Sequence, residues 1–312
     1  MSIAQYQAEP ILSVRHDLGE GIRWDGDRDE IYWTDVFTGT FFRAAENGHG
    51  LTEPQATQLT PPLTALSPIA GRRGWVAALC QGIAFVPAPG TVVVAGMPEA
   101  ASLGSVRMND GACDPAGRFW AGSMSYRSEP GAGSLYCLDL DGQVRRVLGG
   151  LTISNGLGWS PDGRVMYHAD SGPGTLSRMD FDVDSGAVRN RTTILKLPPD
   201  DGVPDGLCVD AEGCLWVAIW GGHQVRRYDP DGRLLAVVNV PARQVSCCAL
   251  SASGTLFVTT ARNGLPPHEL EHDKAAGRLF AAAVGVPGRP ADPYRGAVGE
   301  PTWSKEDLNR HG

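Results

Sequence analysis

The sequence predicts an all-β chain folded as a six-bladed β-propeller, on three observations. One short motif recurs six times at a period of propeller blades. Glycine and proline, 40 and 23 in number, are frequent enough to punctuate many short strands. Side-chain oxygens stand at one register before most copies of the motif, as they must if equivalent positions face a common axis.

The motif is a turn opening on Asp or Ser, a Gly three residues later, and then an apolar or aromatic strand. It reads DPAGRFWAGSM at 114–124, SPDGRVMYHAD at 160–170, DAEGCLWVAIW at 210–220 and SASGTLFVTTA at 251–261. GRRGWVAALC at 71–80 fits with Gly in the first place, and DGDRDEIYWTD at 25–35 fits with Arg28 where Gly is expected. The fourth positions are 28, 74, 117, 163, 213 and 254, spaced by 46, 43, 46, 50 and 41 residues. That spacing suits four-stranded blades rather than helical solenoids. Between the cores, stretches such as GSLYCLDLDGQVRRV and HQVRRYDPDGRLLAVV alternate strands with Asp-Gly turns in hairpin fashion.

The remaining segments have places in the same scheme. ILSVRH at 11–16 is expected to pair into the last blade and close the ring, which removes exposed strand edges. GLPPHELEHDKAAG at 264–277 is an excursion within the last blade, with one short helical turn. The polar residues 300–312 are expected to be a flexible tail on a single domain spanning 1–312.

Composition narrows the function classes. Hydrophobic residues at 42% and charged residues at 20% support a packed core rather than disorder. A net charge of −8 disfavours nucleic acid and anionic membrane as partners. MSIAQYQAEP lacks the basic start and apolar core of a signal peptide, and no apolar run approaches the roughly 18 residues that span a bilayer. The seven cysteines are scattered through apolar runs and read as buried thiols in a reducing cytoplasm, the expected location.

Eight residues before the fourth positions stand Glu20, Leu66, Asn109, Asn155, Asp205 and Ser246. Five of the six carry a side-chain oxygen, and Gly directly follows Glu20, Asn155 and Asp205. Each alone is an ordinary turn residue. Turn chemistry does not explain their common register. Carboxylates and carboxamides that converge on an axis call for a cation between them. Oxygen donors favour a hard ion, Ca2+ first, with Mg2+, Mn2+ and Zn2+ as alternatives. So few protein ligands leave positions open for water and substrate, as at a catalytic metal. The histidines show no HExxH spacing, His268 and His272 read as surface residues, and a GxSxG elbow is absent. Trp220, before Gly221-Gly222, is either a pocket wall or a core aromatic.

LGEGIRWD at 18–25, RMNDGACDPAGRFWAGSM at 107–124, ISNGLGWSPDG at 153–163 and PDGLCVDAEGCLWVAIWGG at 204–222 closely resemble the regucalcin/gluconolactonase family. SCCALSASGTLFVTTARNGL at 246–265 and the subsequent AAGRLF carry the likeness on, so that it spans about residues 10–285. The resemblance implies a six-bladed propeller with one metal held by Glu20, Asn155 and Asp205. It further implies substrate contacts from Arg107 and Asn109 and a general-base role for Asp205. Some relatives add an acidic substrate contact after the G-[ST]-M stretch; here SMSYRSEP places Arg127 at the matching position, with Glu129 off register.

The expected function is metal-dependent hydrolysis of a sugar lactone, such as a glucono- or xylono-lactone. Organophosphate hydrolysis, a calcium-binding regulatory role and a non-catalytic binding propeller are the rivals. The sugar, the native metal and the oligomeric state are left open by the residues.

Overall fold

The computed structural model describes residues 3–47, 50–88, 91–102 and 104–298; the tail expected at 300–312 lies outside them. The chain is an all-β propeller, with one short α-helix among the described residues, Pro267–His272, in the excursion of the last repeat. Each repeat begins with an inner strand: Gly19–Asp25, Leu63–Pro68, Val106–Cys113, Ser154–Trp159, Val203–Val209 and Gln244–Leu250. Antiparallel meanders run outward from these strands, and the inner strands of neighbouring repeats pack on one another.

The repeat motif has a physical reason. In the third and fifth repeats the turn Asp is fully buried and organises both the turn and the strand after it. Asp114 accepts from the backbone N–H of Arg118 at 3.0 Å and from the Trp120 indole at 2.9 Å. Asp210 repeats the arrangement with Cys214 and Trp216, both at 2.9 Å. The carboxylate thus ties the turn to a large aromatic on the next strand. The turn Gly takes a left-handed φ of 69–115° in five repeats, and in the first Asp29 adopts 54° beside Arg28.

Six sheets were expected, one per repeat, and five hydrogen-bonded sheets are observed. The first four repeats keep sheets of their own, whereas the fifth and sixth share a nine-stranded sheet. The join is a single pairing between Trp220 and Gln244. It falls between the two repeats with the shortest spacing in the sequence.

Apolar side chains fill the wedges between successive repeats. Trp120, Leu135 and Cys137 of the third meet Trp159, Met166 and Phe181 of the fourth. Ile22, Ile31 and Trp33 of the first meet Cys247, Ala249 and Phe257 of the sixth, so the ring is closed by packing. The strand that pairs into the last repeat lies upstream of the expected ILSVRH, and the strand before it joins the fifth repeat. Ala4–Gln7 pairs parallel with Leu234–Asn239, and Glu9–Pro10 pairs antiparallel with Phe280–Ala283. After Pro10 the chain leaves the ladder and bonds only at intervals, Ile11 to Leu279 and His16 to Gly277.

A C-terminal strap is the feature the sequence did not announce. Residues 287–297 run across the face opposite the ring's candidate site. On the way they form backbone bonds at Ala211, Ser251, Trp24, Pro68, Gly117 and Leu140. Arg289 adds a bond to the carbonyl of Trp159, so that every repeat is touched. All seven cysteines are free, with only Cys208 less than fully buried. No helix among the described residues is long and apolar enough to cross a membrane.

Candidate functional site

Every inner strand slips its register once, at the same level of the ring. The slips fall between Glu20 and Arg23, Leu63 and Ala65, and Met108 and Gly111. They recur between Asn155 and Leu157, Pro204 and Leu207, and Val245 and Cys247. Such bulges take a residue out of the ladder and re-aim its side chain. Asn109 and Asp205 are among the residues left unpaired, Glu20 and Asn155 are the last paired residues before their slips, and all four line one cavity of about 220 Å3 together with Arg107.

Two expected ring positions do not reach it. The turn of the second repeat is longer, so its bulge falls at Thr64 and not at Leu66, which packs in the core. Ser246 sits at its bulge but turns into the wall, donating to the Gly19 carbonyl and to Thr259. The ring is crowded beside the cavity: a Cβ on Gly156 would stand 2.4 Å from the Asp205 carbonyl oxygen, at a φ of 27°.

Two carboxylates share this cavity. Burial, then the neighbouring Asp110 charge, pushes Glu20 up to about 8. Burial, followed by the charges of Glu20 and Asp110, drives Asp205 well above the usual carboxylate range. Glu20 accepts one backbone N–H, from Gly21 at 3.1 Å. Asp205 accepts from the Asn155 carboxamide, which also donates to Ser171 at 3.1 Å. Ser171 in turn donates to the Pro204 carbonyl at 2.7 Å, fixing the carboxamide between two repeats.

The residues present suit a hard divalent cation. All the donors are oxygens or a carboxamide able to turn its oxygen inward, and the two carboxylates, disfavoured in their ionised form here, would be ionised by a cation between them. One oxygen of Asp110, just below, is buried without a partner. No group of three or more His, Cys, Asp or Glu placed to hold a metal occurs among the described residues. A cation here would therefore rest on two carboxylates and a carboxamide, with room for other ligands.

Arg107 and Asn109 add polar donors to the lining of the same cavity. Arg107 is buried, donating to the Met108 carbonyl at 2.9 Å and to Asn109 Oδ1 at 2.8 Å. Asn109 in turn donates to the Ser154 carbonyl at 3.1 Å. Leu18, Met124, Ile153, Val203 and Trp220 supply apolar walls, which resolves the position of Trp220. Neither Arg127 nor Glu129 lines the cavity; Glu129 accepts from Ser125 instead. The side chain of that loop which approaches Arg107 is Tyr126. His268 and His272 lie exposed on the short helix.

Sequence reasoning missed Ser171 and the Arg23–Asp110 pair, 3.3 Å apart beneath the cavity. Asp110 was visible as the residue after Asn109, and Arg23 inside the LGEGIRWD stretch. No spacing marked Ser171, which comes from the next strand connection.

Residues 18–262 match the family model described as the SMP-30/Gluconolactonase/LRE-like region. Regucalcin from Danio rerio is 32% identical over 300 residues, covering 94% of this chain and all of that protein. A Bacillus subtilis protein, YvrE, whose name proposes a sugar lactone lactonase, is 37% identical over 197 residues, 62% of this chain and 68% of its own. Among solved structures, a calcium-binding protein, regucalcin, from Agrobacterium tumefaciens superposes with a TM-score of 0.86 at 27% identity. That match covers 95% of this chain and 99% of the other. On the extent of the family match and the full-length relative, the chain belongs to the SMP-30/gluconolactonase/LRE-like family.

Proposed function

We propose that this chain is a six-bladed, single-domain propeller that hydrolyses a sugar lactone with the help of one divalent cation. The observation that carries the reading is the pair of carboxylates, half-buried Glu20 and buried Asp205, lining one small cavity with Arg107 and Asn109. The shared nine-stranded sheet is read as two blades, because it holds two inner strands and two meanders. The printed names of the Danio and Agrobacterium relatives support Ca2+ as the first cation to test, and that of YvrE supports the substrate class.

Glu20, Asn155 and Asp205 are assigned to hold the cation. Such an ion supplies a Lewis acid for the lactone carbonyl. Arg107 and Asn109 bind the hydroxyl-bearing edge of the ring and orient its carbonyl toward the carboxylates. Asp205 accepts a hydrogen bond from the attacking water, takes its proton as the C–O bond forms, and returns it to the ring oxygen as that bond breaks. Burial raises the basicity of Asp205 toward the range useful at neutral pH, whereas a cation opposes that rise. Lactones are activated acyl groups, so no covalent nucleophile is needed.

The test is acid release on a panel of lactones, using EDTA-treated protein reconstituted with Ca2+, Mg2+, Mn2+ or Zn2+. Hydrolysis should require the ion. Asp205→Ala should abolish turnover and weaken ion binding, and Arg107→Ala should act mainly through KM. Hydrolysis that survives EDTA, or full activity in Asp205→Ala, refutes the assignment.

A further inference from the structure

Two large side chains remain open to solvent beside the candidate cavity, and lactone hydrolysis as proposed gives neither a task. Phe37 is 36% exposed and Tyr126 47% exposed. The Arg107 guanidinium lies 5.9 Å from the ring centroid of each, so the two aromatics bracket the residue that lines the cavity. Each belongs to a loop joined to that wall. The residue before Phe37, Val36, donates its N–H to the carbonyl of Leu18, and Ser128, two residues past Tyr126, stands in the lining.

The cavity itself is small. About 220 Å3 is less than the roughly 300 Å3 at which pockets for drug-sized ligands begin, and suits a single ring. A substituent on that ring that extends past Arg107 meets the two aromatics, each 5.9 Å from its guanidinium. We propose that Phe37 and Tyr126 form an outer subsite for a flat, apolar ring face carried by the substrate beyond the lactone ring. The inference rests on the lactone reading and refines its substrate class. A phenyl substituent and the C–H face of a glycosyl residue share the required chemistry.

The test measures binding as well as turnover. Non-hydrolysable δ-lactams, bare, phenyl-substituted or glucosyl-substituted, are titrated calorimetrically into the wild-type protein and Phe37→Ala/Tyr126→Ala. At least one substituent should tighten binding about tenfold in the wild type, corresponding to about 1.4 kcal/mol. The arm that responds identifies the source of the ring face. In the double variant the ratio of substituted to bare affinity should fall toward one, whatever happens to binding of the bare lactam through Arg107. Phe37→Tyr/Tyr126→Phe, which keeps both rings, should preserve the ratio.

A ratio near one in the wild type, or one that survives loss of both rings, overturns the subsite. The matching lactones are assayed in parallel. Lactam preference without hydrolysis sinks the reaction and keeps the subsite; hydrolysis without lactam preference does the reverse.

Discussion

A cation binding at this site must displace protons. Glu20, at about 8, is about nine-tenths protonated at pH 7, whereas a carboxylate holding a divalent ion is ionised. Each cation bound at pH 7 should therefore release close to one proton from Glu20, with any contribution from Asp205 adding to it. At pH 9 the Glu20 share should fall to about a tenth of a proton. The perturbation is CaCl2 added to EDTA-treated protein. The assay is calorimetry in buffers of different ionisation enthalpy, checked by direct pH measurement in weakly buffered solution.

The same shift fixes a dependence of stability on pH. A carboxyl raised in the folded state supports folding below the unfolded value and loses that contribution as pH climbs to about 8. Over that window the cation-free protein should lose up to about 1.4 kcal/mol per pH unit from this group, less where water reaches it, and added cation should restore it. Cation binding with no proton release at pH 7, or release unchanged between pH 6 and 9, would show that the ion does not engage Glu20.

Three further outcomes are expected elsewhere in the fold. Burial lowers His168 to about 3, so stability should fall as pH drops from about 6.5 toward that value, by up to about 1.4 kcal/mol per unit; denaturant titrations of His168→Leu should show a flatter slope. Asp210→Ala removes the acceptor for Cys214, Trp216 and Arg227, and should cost about 2–4 kcal/mol in urea unfolding, with a smaller loss in Asp210→Asn. Tyr294→Ala empties a fully buried position in the strap, and should cost about 3–5 kcal/mol while leaving lactone KM near that of the parent.

The fold was legible where one motif served one physical purpose six times. Gly117, Gly163 and Gly213 mark turns that need a left-handed residue, and Asp114 and Asp210 mark the turn-to-indole bonds, so counting them located the repeats. Counting back from the same turns reached Asn109, Asn155 and Asp205 because the stretch from slip to turn Gly is the same eight residues there. It failed at Leu66, where a longer turn moves the bulge to Thr64. The strap escaped because its bonds are made by backbone groups, which carry no signature in residue type. Tyr126 escaped because the family resemblance points to charge at positions 127 and 129, whereas the loop turns an aromatic ring toward Arg107.

The bulges connect folding to chemistry. An unbroken inner strand would send alternate side chains into the wedges on either side, where Ile22 and Leu207 already pack, and would keep Asp205 in the ladder. Each irregularity takes one or two residues out of the ladder, Asn109 and Asp205 among them, while the apolar alternation resumes beyond it. The two carboxylates come from the first and fifth repeats and repel until a cation or protons intervene. Their approach is opposed locally and is imposed by the ring as a whole, through the wedge of Trp33 and Phe257 that locks the last repeat on the first. Ring closure and assembly of the site are on this account a single event, so loosening that wedge should weaken cation binding although neither residue lines the cavity.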